Sequence, residues 1–254
     1  MSLKPDSSVV TALHPSRNVG ERRNGMRPYL IILHYTGMGS AQKAIEWLAH
    51  PDSNVSCHYV VDEAGAVTQM VPENLRAWHA GASYWHGETD VNSASIGIEI
   101  QNAGHPNGYP DFPNAQMQAV AALCRDIARR RAIAPEGVLA HSDVAPGRKM
   151  DPGEKFDWAW LASEGVGHWV APAEPSDPCR GEIAEGIGVA EAQRLLRQYG
   201  YDAEPHGRLD ERTRVLARAF QLHFRPARAD GRLDTGTLDT LSRLVAALPV
   251  PVTS

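Results

Sequence analysis

Three residues of this 254-residue chain have the types and the placement of a metal-binding set. His34 and His141 each stand at the end of a short apolar run, and Asp151 follows His141 in a segment punctuated by Pro and Gly. If the apolar runs are strands, both imidazoles can project into one cleft. Two imidazoles and one carboxylate form a three-ligand set for Zn²⁺ that leaves a fourth position for water. Because such a site lowers the pKa of the water to about 7, the pattern allows hydrolysis of an amide.

Two further residues could complete a hydrolytic site. Glu99 lies in the apolar run SIGIEI, where a carboxylate is costly unless it is paired or moves protons. Lys149 stands two positions before Asp151 and could stabilise an oxyanion. The residues alone leave another interpretation open, in which Glu99 forms a salt bridge in the core and Lys149, with Arg148, is ordinary surface charge. The chain has no contiguous HExxH signature that would indicate a known class of metalloprotease. Its residues therefore indicate a zinc hydrolase but do not identify the substrate.

The hydrophobic pattern predicts the elements that position these residues. Continuous apolar runs predict buried strands within residues 29–36, 95–100 and 138–143. We expect the last of these strands to end at His141. Alternation around an Ala-Gly turn predicts a hairpin over 58–71. Helical spacing predicts helices after an N-cap at Ser40, over 116–131 and over 156–163.

Composition shifts divide the chain into four parts. We expect an N-terminal arm at 1–27, a metal-binding domain at 28–168, a Pro-rich linker at 169–181 and a small three-helix domain at 182–248. In the last part, Asp210 and Asp234 stand at N-cap positions.

Charge and hydropathy limit the partners of the protein. A net charge of −5 and a pI near 6.1 give no basic surface, so we expect no nucleic acid. No stretch has the ~18 apolar residues of a membrane span, and residues 1–25 have no apolar core typical of a signal peptide. The sequence as given therefore favours the cytoplasm, with the periplasm as the alternative if a leader has been removed. We also expect a monomer.

Five ordered motifs resemble the amidase-2 family of N-acetylmuramoyl-L-alanine amidases, which is related to the peptidoglycan recognition proteins. They are IILHYT, SCHYVVDEAGAVTQMV, RAWHAG, NSASIGIEIQN and HSDVAPGRKMDPG, within residues 27–160. The resemblance implies an α/β fold with a central mixed β-sheet flanked by helices, around a cleft that holds one Zn²⁺. It also implies hydrolysis of the amide between N-acetylmuramic acid and L-alanine in peptidoglycan or muropeptides.

The resemblance assigns roles to individual residues. The zinc ligands fall on His34, His141 and Asp151, the catalytic acid on Glu99 and the oxyanion-stabilising lysine on Lys149. Since recognition proteins that only bind peptidoglycan lack a full ligand set, the complete set favours an enzyme. Candidate substrate contacts are Tyr35, Arg76, Trp78, His79 and Asn92. For Trp78 a place in the core, and for His79 a structural hydrogen bond, are alternatives.

The C-terminal part resembles, more loosely, the three-helix peptidoglycan-binding domain of cell-wall hydrolases. The matching segments are AQRLLRQYGYD, HGRLDERTRVLARAFQLHF and DGRLDTGTLDTL. Two domains in this order look like the AmiD type of amidase rather than the single-domain AmpD type, and a wall-binding domain argues for the periplasm. A structural appendage is the alternative for the domain. For the whole chain, the alternatives are a non-catalytic recognition module and a zinc peptidase that cuts within the stem peptide.

Overall fold

The computed structural model describes residues 4–172 and 181–249. The strands in these ranges are β1 (Ala12–Leu13), β2 (Val19–Gly20), β3 (Leu30–Tyr35), β4 (Tyr59–Val61), β5 (Val67–Gln69), β6 (Arg76–Ala77), β7 (Ser95–Ile100) and β8 (Val138–Ala140). The helices are α1 (Ala41–Ala49), α2 (Val91–Ala94), α3 (Asn114–Arg131), α4 (His141–Val144), α5 (Trp158–Ser163), α6 (Ile187–Tyr199), α7 (Glu211–Phe224) and α8 (Thr235–Ala246). None of the helices in these ranges is long and apolar enough to cross a lipid bilayer.

A mixed sheet lies at the centre of the N-terminal part. Its strand order is β1-β5-β4-β7-β3-β8, in which β3 pairs in parallel with both β7 and β8, while β4 and β5 form an antiparallel hairpin. The two central strands are covered on both faces, which explains why their sequences are continuous apolar runs. The expected mixed sheet flanked by helices is therefore confirmed.

Alternate residues of the central strands pack against different layers. Ile31 and Leu33 of β3 face a core that includes Val120 and Ile127 of α3. Leu30 and Ile32 face the opposite way, into a core shared with the C-terminal helices α6, α7 and α8. The three-helix domain therefore forms part of the layer that covers the second face of the sheet.

Side-chain caps begin three of the helices where the sequence predicts them. The Ser40 hydroxyl accepts a hydrogen bond from the Lys43 amide at the start of α1. The Asp210 and Asp234 carboxylates do the same at the starts of α7 and α8. Each cap satisfies an amide that has no partner inside its helix.

The N-terminal arm is held by contacts with the rest of the fold. Strand β1 adds a parallel edge strand to β5, and β2 pairs with β6. The buried Arg22 guanidinium donates to the carbonyls of Ser93, at 2.6 Å, and Ser95, at 3.0 Å. These backbone and side-chain bonds account for the order of a segment whose sequence shows no period.

One expectation about an element boundary needs correction. Strand β8 ends at Ala140 and helix α4 begins at His141, whereas the apolar pattern predicts a strand that ends at His141. The reason is that the Asp143 carboxylate accepts a hydrogen bond from the Ala140 amide at 2.8 Å and closes a helical turn. At the predicted linker, Trp169 and Val170 pack against the core that contains α6 to α8. Residues 173–180 of that linker lie outside the described ranges.

Candidate active site

The parallel pairing of β3 and β7 brings the first two candidate residues together. His34 and Glu99 are register partners, so their side chains point to the same face of the sheet. Both line a cavity of about 480 Å³ that opens at this end of the sheet. His141, Lys149 and Asp151 line the same cavity.

Three donor atoms converge at the base of the cavity. The Nδ1 atoms of His34 and His141 are 2.8 Å apart, and the Asp151 Oδ2 atom lies 3.2 Å from the first and 2.9 Å from the second. All three residues are buried, and in the described part of the chain they are the one set of three such side chains close enough to share a metal ion. Ligands of a tetrahedral Zn²⁺ lie about 2.0–2.2 Å from the ion, which places them roughly 3.4 Å from one another. The three residues therefore fit a zinc ion after a small outward shift.

Hydrogen bonds behind the two histidines leave the converging nitrogens free to bind a metal. The Ser95 hydroxyl donates to the Val91 carbonyl at 2.5 Å and so accepts from Nε2–H of His79, at 3.2 Å. Nδ1 of His79 then has no proton and accepts from Nε2–H of His34, at 3.0 Å. His34 therefore presents an unprotonated Nδ1 to the cluster. In the same way, His141 donates from Nε2 to the Ala80 carbonyl at 3.1 Å, which leaves its Nδ1 unprotonated.

Burial and neighbouring charge set the protonation of this cluster. Burial, and then the charge of His141, lower the pKa of His34 to about 4. Burial lowers the pKa of His79 well below its usual value. For Asp151 burial acts to raise the pKa, but His141 and His34 outweigh it and the pKa is lowered. At neutral pH His34 is thus a neutral imidazole and Asp151 a carboxylate, which are the forms that bind metals.

Glu99 forms no ion pair with any residue in the part of the chain that the structure describes. Its Oε2 atom is buried and has no hydrogen-bond partner there, so the interpretation of Glu99 as a core salt bridge is not supported. Burial, and then the charge of Asp151, raise the pKa of Glu99 well above its usual value, while Lys149 acts in the opposite direction. A buried carboxyl group whose protonated form is favoured in this way is suited to take up and release a proton.

The loop between α4 and Asp151 carries two cations into the cavity lining. The Lys149 amide donates to the Ala145 carbonyl at 3.0 Å, and its side chain lines the cavity. The Arg148 guanidinium donates to the carbonyls of Ala80 and Ala82, which ties this loop to the segment that carries His79. The sequence pattern offered no reason to prefer this role of Arg148 over ordinary surface charge.

Comparison with known families decides which proteins this chain is related to. The profile of the N-acetylmuramoyl-L-alanine amidase family matches residues 24–154, just over half of the chain. The chain belongs to this family. A second profile, that of a peptidoglycan binding domain, matches residues 185–241. The two resemblances seen in the sequence are thus confirmed.

Individual amidases resemble the chain over different lengths. The N-acetylmuramoyl-L-alanine amidase AmiD of Escherichia coli K12 is 38% identical over 221 residues, covering 82% of this chain and 79% of AmiD. The 1,6-anhydro-N-acetylmuramyl-L-alanine amidase AmpD of the same organism is 32% identical over 162 residues, covering 57% of this chain and 86% of AmpD. A solved structure of E. coli AmiD, in complex with the substrate anhydro-N-acetylmuramic acid-L-Ala-D-gamma-Glu-L-Lys, superposes with a TM-score of 0.74 at 32% identity, covering 91% of this chain and 98% of AmiD. The longer match to AmiD agrees with the two-domain organisation.

The amidase cavity includes some of the candidate substrate contacts but not all of them. Tyr35, Trp78 and His79 line it. Arg76 is outside the lining and forms an ion pair with Asp90 at 2.8 Å. The Asn92 side chain is also outside and accepts hydrogen bonds from the amides of residues 79 and 80 at 2.9 and 2.8 Å. Asn92 therefore holds the backbone of a segment that lines the cavity, and the Arg76 guanidinium is paired with Asp90 outside the cavity.

An apolar wall of the amidase cavity was not anticipated from the sequence. Helix α1 and the segment after it contribute Trp47, Leu48 and Val55, and Met38 and Met150 complete the wall. Trp47 is 49% exposed although it is a large aromatic residue, because the helix presents it at the cavity rather than to the core. Its helical spacing alone could not distinguish these two positions.

Proposed function

We propose that this chain hydrolyses the amide bond between N-acetylmuramic acid and L-alanine in peptidoglycan or muropeptides, in a reaction that requires one zinc ion. The observation that carries the proposal is the cluster of His34, His141 and Asp151 beneath a cavity that also contains Glu99, whose Oε2 atom has no hydrogen-bond partner among the described residues. The activities named for the related AmiD and AmpD support the choice of bond.

Three residues would hold the ion, and their outer hydrogen bonds orient them. His34 and His141 would bind through Nδ1, and Asp151 through Oδ2. A zinc ion in this set supplies a Lewis acid and lowers the pKa of water to about 7. The cavity would admit the scissile amide beside these three residues.

Glu99 and Lys149 carry the proton and charge movements of the proposed reaction. The Glu99 carboxylate accepts a proton from the attacking water and returns it to the nitrogen of the departing L-alanine. Its raised pKa suits this exchange because the carboxyl must both gain and lose the proton. The Lys149 ammonium group stabilises the negative charge that develops on the carbonyl oxygen.

The cavity walls suggest how a muropeptide is held. Tyr35 and Trp78 offer a hydroxyl and an aromatic face beside the ligand set, and Trp47 offers a second aromatic face at the rim. Sugars and lactyl groups present both apolar faces and hydroxyls, which fits a lining of this kind. We assign substrate contact to these three residues, and not to Arg76 or Asn92.

We further propose that one domain carries out catalysis and the other binds peptidoglycan. Residues 28–168 perform catalysis, residues 4–27 of the N-terminal arm pack against them, and residues 182–248 contact peptidoglycan. The match of residues 185–241 to a peptidoglycan binding domain supports this division.

The test is to incubate the purified full-length protein with a defined muropeptide, with and without a chelator, and to identify the products by mass spectrometry. The proposal expects free stem peptide beginning with L-alanine, whose release stops with chelator and returns with added zinc. Cleavage inside the stem peptide would instead indicate a zinc peptidase. Saturable binding without any product would indicate a recognition module.

A further inference from the structure

A buried carboxylate links the metal ligand His141 to the C-terminal domain. Asp143 lies two residues after His141 in the single turn of α4, and its side chain is fully buried. Its Oδ1 atom accepts a hydrogen bond from the Tyr201 hydroxyl at 2.6 Å. Its Oδ2 atom lies 2.6 Å from Nδ1 of His223. Both of these partners belong to the C-terminal domain.

The same carboxylate shapes the backbone that carries the metal ligand. Oδ2 of Asp143 also accepts the Ala140 amide at 2.8 Å, which ends strand β8 and begins α4 at His141. The second anchor of this turn is the Ser142 amide, which donates to the carbonyl of Asp151 at 3.0 Å. One helical turn has little stability of its own, so its position depends on such anchors.

Rigid packing holds the two C-terminal donors in place. The His223 ring lies between the rings of Trp158 and Phe224, with centroid distances of 3.7 Å to each. Trp85 packs edge-on against Tyr201, with ring centroids 5.0 Å apart. Aromatic contacts on several sides leave these donors little freedom to follow Asp143 if it moves.

We propose that Tyr201 and His223 are positioning residues for the metal site, so that the C-terminal domain is a structural part of the catalytic unit. The proposal rests on the proposed function, in which His141 binds the ion. Through Asp143, these two residues fix the turn that aims Nδ1 of His141 at Oδ2 of Asp151, now 2.9 Å away. If a donor is removed, the buried carboxylate must turn towards another partner or towards water, and α4 moves with it.

The structure offers a matched pair of variants for the test. Tyr201→Phe deletes the hydroxyl that donates to Asp143. Tyr199→Phe deletes a hydroxyl two positions away, equally buried in the same interdomain core, whose partner is instead His168 at 3.1 Å. Both variants keep the aromatic ring, so both should fold. His223→Phe keeps a ring between Trp158 and Phe224 and removes the Nδ1–H donor that contacts Asp143.

Two measurements on the full-length variants decide the question. The first is zinc affinity, by competition with a chromophoric chelator. The second is amide hydrogen exchange of the metal-free protein in a peptide covering residues 138–145. We expect Tyr201→Phe and His223→Phe to speed exchange in that peptide and to weaken zinc binding by at most about tenfold, the lower end of the range for direct partners of metal ligands, because both act through Asp143. Tyr199→Phe should change neither by as much as about twofold, whatever its effect on the Tm.

The possible outcomes separate the two proposals. If Tyr201→Phe lowers the Tm like Tyr199→Phe but leaves zinc affinity and exchange as in wild type, the positioning role is overturned and the contact is merely structural. If wild-type protein binds no zinc, the proposed function fails. In that case the exchange comparison alone supports or overturns the link between the C-terminal domain and α4.

Discussion

The Nε2 atom of His34 lies 3.0 Å from the Nδ1 atom of His79, on the side of the His34 ring away from the Nδ1 atom that faces Asp151. The Nε2–H group of His79 donates a hydrogen bond to the Ser95 hydroxyl, so Nδ1 of His79 carries no proton and can only accept. This relationship selects the tautomer of His34 whose Nδ1 can bind an ion. In the proposed metal site, His79 would thus orient His34 without contacting the ion.

Replacing His79 should therefore weaken metal binding. In His79→Phe the ring remains but no acceptor faces His34, and we expect zinc affinity to fall by about 10- to 100-fold. His79→Gln, whose side-chain carbonyl can still accept, should retain more affinity. The measurement is chelator competition, with His50→Gln as the control because that histidine is exposed and outside the cavity. Wild-type affinity in His79→Phe would show that the tautomer is set by other contacts.

Gly97→Ala should disturb the same arrangement from the neighbouring strand. A Cβ atom at Gly97 would lie 2.5 Å from Cγ of His79, so the ring must move. We expect weaker zinc binding and a stability loss of about 1–3 kcal/mol, as is typical of overpacking. Gly39→Ala is the control, since nothing lies within 4 Å of its added Cβ. Equal Tm and zinc affinity for the two variants would contradict the steric argument.

Much of the fold could be predicted because its central strands are covered on both sides. Strands β3 and β7 are unbroken apolar runs for that reason, and an acid within one of them, Glu99, is conspicuous. The capped starts of α7 and α8 could be predicted because Asp210 and Asp234 act on amides three residues away. Sequence patterns are sufficient to predict a contact where the two interacting residues are close in the sequence.

The rest depended on partners that are remote in the sequence. The turn at His141 is closed by Asp143, whose other partners, Tyr201 and His223, come from the C-terminal domain. Arg76 is outside the cavity because Asp90 engages it. No periodicity or spacing encodes these pairings, since each depends on how separate elements pack. His34, His141 and Asp151 could be proposed because strand ends and a Pro/Gly loop predicted one shared cleft.

Glu99→Gln should separate chemistry from metal binding. The amide cannot take the proton of the attacking water, so we expect kcat to fall by about 10²- to 10⁴-fold. Zinc affinity should stay close to wild type, because Glu99 is not one of the three clustered donors. The comparison is His34→Ala, which should lose both zinc and turnover. Near-native turnover in Glu99→Gln would remove Glu99 from the proposed mechanism.

The same variant should show a stability difference that depends on pH. Folding raises the pKa of Glu99 above the pKa of about 4.3 that a Glu has in the unfolded chain. The contribution of Glu99 to stability is therefore fully present below the unfolded pKa and is lost as pH rises through the folded pKa. Relative to wild type, Glu99→Gln should thus gain Tm between pH 4 and pH 8. Thermal unfolding of metal-free proteins across this range measures the gain. A Tm difference that does not vary with pH would mean that the folded carboxyl titrates normally.

Trp47→Ala should weaken substrate binding without affecting the chemical step. Trp47 lies at the rim of the cavity, on α1 rather than on the strands and loop that carry the ligand set. An aromatic contact is worth about 0.5–1.5 kcal/mol, so we expect KM for a muropeptide to rise by about twofold to tenfold while kcat stays unchanged. Tyr29→Ala is the control, because Tyr29 is similarly exposed, at 45%, but lies outside the cavity lining. A fall in kcat at unchanged KM would instead place Trp47 in transition-state stabilisation, and equal kinetics in both variants would remove it from the binding surface.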